Sequence, residues 1–64
     1  MNLKEIVQRV YDSPSLRSYL KLNISGDPKA QKNQIRLKVA ALARKNPMFT
    51  SLLVEQVNKT PVGE

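Results

Sequence analysis

The sequence predicts an all-α fold, a compact array of four short helices. Apolar residues recur at helical spacing, beginning with Leu3, Ile6, Val7 and Val10. No stretch shows the sustained alternation, bounded by turn residues, that is typical of strands. The chain is also divided by three pairs that join a capping residue to a proline: Ser13-Pro14, Asp27-Pro28 and Asn46-Pro47.

The first helix is predicted at about residues 3–11, where the apolar positions form one face that continues to Tyr11. Asn2 and Glu5 have the spacing of a capping box at its start. This helix therefore carries its own start signal and an apolar face that must pack against a neighbour.

The capping pairs predict where each later helix begins. Ser, Asp and Asn side chains accept hydrogen bonds from the unpaired N–H groups of a first turn. A proline in the next position loses nothing there, and it also disfavours helical geometry in the residue before it. Each pair therefore predicts the end of one helix and the start of the next.

These boundaries place the second helix at about residues 14–24, the third at about 28–45 and the fourth at about 47–58, with connections of about two to four residues. Gly26 is expected to end the second helix. The third helix has its main apolar stripe at Ile35 and Val39, and Leu37 and Ala41 lie roughly opposite. Its middle is therefore apolar nearly all round, so the helix is predicted to be central. Residues 1–59 form one domain, and residues 60–64 a frayed tail.

The composition argues against catalysis. The 64 residues include no cysteine and no histidine, and the two glycines, Gly26 and Gly63, form no phosphate-binding loop. The five acidic residues are scattered, and no serine or lysine has an evident activating neighbour. We expect a non-enzymatic protein without metal or cofactor, located in the cytoplasm.

The charge distribution is the most informative feature. Eleven basic and five acidic residues give a net charge of +6, and no acidic residue occurs from Pro28 to Val54. Such a surplus favours an anionic partner, and Arg, Lys, Asn and Gln are the side chains that read bases and phosphates. We therefore predict a DNA-binding module, with nucleic-acid contacts from Lys29, Lys32, Asn33 and Arg36 on the third helix and from Arg17 and Lys21 on the second.

Two structural interpretations accompany this prediction. The second helix, the Ser25-Gly26 turn and the third helix have roughly the layout of a helix–turn–helix. Lys29 and Lys32 also lie near the positive end of the third helix dipole, where a bound phosphate would be stabilised. The competing interpretation is that these polar side chains simply solvate the exposed side of a long helix.

Two other functions stay open. A protein–protein interaction module (an adaptor, an assembly factor or an inhibitor), with a homodimer as one form, would use the additional apolar residues Leu37, Ala41, Met48 and Val54. A cationic membrane-active peptide ranks last, because the mean hydropathy is −0.42 and tryptophan is lacking. We expect no membrane partner.

Overall fold

Side-chain caps fix the starts of the first three helices. In the computed structural model, which describes residues 2–64, Asn2 Oδ1 accepts from the N–H of Glu5 at 2.9 Å. Ser13 Oγ accepts from the N–H of Leu16 at 3.2 Å. Asp27 Oδ1 accepts from the N–H of Ala30 at 2.8 Å. Each cap satisfies a first-turn donor that has no partner within its own helix.

The described residues form four helices and no strand, which confirms the predicted all-α class. The first and third helices begin at their predicted residues, and no boundary of the first, third or fourth helix moves by more than one residue. Met1, with which the predicted domain 1–59 begins, lies outside the described residues. The helices are α1 Leu3–Asp12, α2 Pro14–Tyr19, α3 Pro28–Lys45 and α4 Met48–Lys59.

The start of α4 differs in detail from the capping-pair prediction. The helix begins at Met48, so Pro47 precedes the helix instead of opening it. Asn46 still supplies a cap-like bond, because its Oδ1 accepts from the N–H of Met48 at 3.1 Å. The same residue ends α3, and its N–H donates to the carbonyl of Leu42.

The predicted length of the second helix, residues 14–24, is wrong, because α2 ends at Tyr19. Lys21 adopts a left-handed conformation with φ of 55°. Its N–H donates to the Ser18 carbonyl, and the Leu22 N–H donates to the Arg17 carbonyl, both at 3.0 Å. This pair of bonds is the Schellman motif, which usually has glycine where Lys21 stands. With lysine at this position, no glycine marks the end of α2.

Residues 20–27 consequently connect α2 to α3, a longer connection than the two to four residues predicted. Their backbone is held by α3: Gln31 Nε2 donates to the Gly26 carbonyl and Gln34 Nε2 to the Ser25 carbonyl, each at 2.7 Å. Gly26 has a φ of 103°, and a Cβ there would lie 3.3 Å from Ala30 Cβ. The positive φ is the reason that glycine is favoured at this turn.

Replacing Lys21 by glycine should stabilise the protein. A residue with a Cβ in the left-handed region costs about 1–2 kcal/mol relative to the right-handed region, and glycine removes most of that cost. The greater freedom of glycine in the unfolded chain offsets part of the gain. We expect the free energy of unfolding in urea to rise by about 0.5–1 kcal/mol. A decrease would contradict the assigned backbone strain.

The core lies where α1 meets the other helices, since α1 contacts all three of them. The prediction that the third helix is central is wrong. α3 buries only the side that carries Ile35 and Val39, while Ala41 is exposed and Leu37 is 54% exposed. The buried apolar residues are Ile6, Val7, Val10, Leu16, Leu20, Ile35, Val39, Leu53 and Val57.

One cation serves the fold itself. Arg9 Nη2 donates to the carbonyls of Val57 and Thr60, at 3.2 and 3.0 Å. These carbonyls lie at the C-terminal end of α4, where a positive charge is favourable. Beyond them, Thr60 is buried and the Glu64 carbonyl accepts from the N–H of Ser15 at 2.8 Å. The predicted fraying of residues 60–64 concerns their motion and stays a prediction.

Candidate functional site

A groove runs between α1 and the N-terminal half of α3, with a volume of about 780 Å³. We call it the α1–α3 groove. Four of its lining residues come from α1, and the other six belong to α3 or to its cap. The lining residues are Leu3, Lys4, Val7, Gln8, Asp27, Lys29, Ala30, Lys32, Asn33 and Arg36.

Helix geometry explains why cations gather at this groove. Lys29, Lys32 and Arg36 follow one another at intervals of three and four residues, so they share one stripe of α3. The packing of α1 against α3 adds Lys4 from the other helix. Two helices thus contribute positive charge to one depression of the surface.

The four groove cations have no carboxylate partner among residues 2–64. The one ion pair found there joins Lys59 Nζ to Glu55 Oε1 at 3.0 Å, on α4. Asp27 is the single carboxylate in the groove lining, and it is committed to capping α3. Unpaired like charges around a recess attract anions and raise their local concentration.

Two of the cations are positioned by neighbouring side chains. Lys32 Nζ lies 5.1 Å from the ring centroid of Tyr11, a cation–π distance. Arg36 Nη2 donates to Asn33 Oδ1 at 2.8 Å. Arg36 is exposed and Lys32 only partly buried, so both charges remain accessible from solvent.

The structure brings together all four predicted site residues of the third helix. Lys29, Lys32, Asn33 and Arg36 all line the groove. Sequence reasoning missed Lys4, because its place opposite α3 depends on how the two helices pack and not on local spacing.

The two predicted site residues near the second helix do not line the groove. Lys21 lies beyond the end of α2, so its predicted place on the second helix is wrong. Arg17 is partly buried, and its Nε atom has no hydrogen-bond partner among the described residues.

The helix–turn–helix interpretation is also wrong. α2 has six residues, and residues 20–27 replace the short turn that this motif requires. Gln31 and Gln34, which could have read bases, bond instead to the backbone of that connection. At the start of α3, the Asp27 carboxylate accepts a hydrogen bond from the N–H of Ala30 and adds negative charge. The side-chain cations, and not the helix terminus, therefore provide the groove's attraction for anions.

Fold and groove together define the class of protein: a small four-helix protein with a cationic groove. Comparison with protein-family models, curated proteins and solved structures finds no match to the chain. No helix within residues 2–64 is both long and apolar enough to cross a membrane. In the same residues, no cluster of three or more potential ligand side chains could hold a metal ion.

Proposed function

We propose that the protein is a nucleic-acid-binding module that holds backbone phosphates in the α1–α3 groove. The observation that carries this proposal is the convergence of Lys4, Lys29, Lys32 and Arg36 without a carboxylate partner. Nucleic acids gain affinity for such a surface because each neutralised phosphate releases condensed counterions. The net charge of +6 supports the same conclusion.

The contacts on the groove favour phosphates over bases. Gln8 Nε2 donates to Asp12 Oδ2 at 3.0 Å, and Asn33 Oδ1 accepts from Arg36. Each amide in the lining therefore already makes one side-chain hydrogen bond, Gln8 through Nε2 and Asn33 through Oδ1. Lys32 lies over the ring of Tyr11, and no aromatic residue lines the groove for base stacking. These features support a DNA duplex as the ligand, bound with little sequence preference.

The proposed role is one of binding without catalysis, in the cytoplasm. The groove holds four cations, two engaged amides and a capping carboxylate, together with apolar side chains. Such a set can bind and orient an anion, and it offers no nucleophile paired with a base.

Titration of a fluorescent DNA duplex at two salt concentrations tests the proposal. Four phosphate contacts correspond to a slope of about −3.6 in a plot of log affinity against log salt. Affinity should therefore fall about 50-fold when salt rises from about 50 to about 150 mM. Binding that does not respond to salt, or no binding at the lower concentration, would contradict the proposal.

A protein–protein interaction module is the second candidate. The observation that favours it is the exposure of large apolar side chains: Leu37 is 54% exposed and Met48 68% exposed. Surfaces of this kind mark partner contacts when they are contiguous. Light scattering in the titration buffers supplies the test, since a stable dimer that leaves the duplex unbound would favour this candidate.

A further inference from the structure

The floor of the α1–α3 groove is apolar, which phosphate binding does not require. Leu3, Val7 and Ala30 line it between the cations. Leu3 is 41% exposed, although it belongs to the apolar face of α1. Apolar surface left in water at a concave site is a common property of ligand sites, because a ligand that covers it gains free energy.

We propose that the same groove receives an acidic amphipathic helix of a protein partner, which displaces nucleic acid. The displacement rests on the proposed function, whereas the binding of the helix does not. Helix-in-groove recognition uses apolar anchors spaced three and four residues apart on one face. Here those anchors would cover Leu3 and Ala30.

Charge complementarity selects an acidic helix over a neutral one. Lys4 lies on the α1 wall, and Lys29 and Arg36 lie on the α3 wall. Carboxylates on both flanks of an apolar stripe would therefore meet cations on either side of the floor. A helix bound there would cover Lys29, Lys32 and Arg36, the same cations that the duplex contacts, so the two ligands would exclude each other.

The probe is a labelled synthetic helix of about 16 residues, with leucines on one stripe and glutamates on both flanks. The control peptide has the same composition, with its leucines spread over all faces. We expect the striped peptide to bind the protein at least about tenfold more tightly than the control, because only the stripe covers the floor. Equal affinity of the two peptides would overturn the proposal, since charge alone would then explain binding.

Two variants separate the floor from the cations. Leu3→Gln should weaken the striped peptide about fivefold and leave duplex affinity within about twofold, because Leu3 carries no charge. Lys32→Gln should weaken both ligands. Circular dichroism checks that each variant remains helical. Because Leu3 is partly exposed, its replacement should have little effect on stability. Unchanged peptide affinity in Leu3→Gln would overturn the assigned floor.

A competition titration tests displacement. The striped peptide should release bound duplex in proportion to its occupancy, and a complex that contains both ligands would overturn a shared groove. The two proposals fail separately. A protein that binds the peptide and not the duplex refutes nucleic-acid binding and displacement, while a protein that binds the duplex and not the peptide refutes the helix site alone.

Discussion

Replacing Lys29, Lys32 and Arg36 together by glutamine should lower duplex affinity at about 150 mM salt by about 100-fold. Glutamine keeps helix propensity, so the change removes charge with little effect on α3. Each lost phosphate contact should also reduce the magnitude of the salt slope by about 0.9. After the three replacements about one contact remains, that of Lys4. The measurement is the duplex titration, repeated over a range of salt.

The same helix offers a matched control. Lys38, Arg44 and Lys45 are exposed, do not line the groove and carry the same total charge. Their replacement by glutamine lowers the net charge equally. It also removes the favourable interaction of each last-turn cation with the helix dipole, which lowers stability by up to about 1 kcal/mol per cation. Equal losses of affinity in the two triple variants would refute a localised groove and indicate attraction by net charge alone.

Leu53→Ala should unfold much of the protein at room temperature. Leu53 is fully buried on α4, within the core that α1 organises. Truncating a buried leucine costs about 2–5 kcal/mol. A domain of this size rarely has more than about 3–5 kcal/mol of stability from its core. Urea denaturation followed by circular dichroism should therefore show a much reduced midpoint or no folded baseline.

The neighbouring residue provides the control for this prediction. Leu52 is 47% exposed, so Leu52→Ala should cost less than about 1 kcal/mol. The two variants remove the same atoms from adjacent positions of one helix, and only burial differs. Similar losses in both would contradict the packing of α4 described above.

Local signals predicted most of the fold. Asn2, Ser13 and Asp27 cap their helices as their types and spacing indicate, because capping depends on atoms within a few residues. The end of α2 could not be predicted in the same way. Its left-handed residue is Lys21. The free-energy cost of that conformation is compensated only by the tertiary packing of the following segment.

The candidate site likewise contains residues that local spacing predicts and one residue that only helix packing brings in. The stripe of Lys29, Lys32 and Arg36 follows from helical periodicity alone. Lys4 joins it only through the contact between α1 and α3, which no local pattern encodes. The expected central position of α3 failed for a related reason. A helix with apolar residues on two sides need not bury both, and Leu37 remains in water.

The bonds from Arg9 to the end of α4 have a consequence for folding during synthesis. They join residues 48 and 51 positions apart, so about three quarters of the 64-residue chain separates the two partners. Closing so long a loop is entropically costly, and the early-made helix α1 has its final neighbours only after α4 has left the ribosome. The contacts between α1 and α4 should therefore form last, after α1 has packed against α2 and α3.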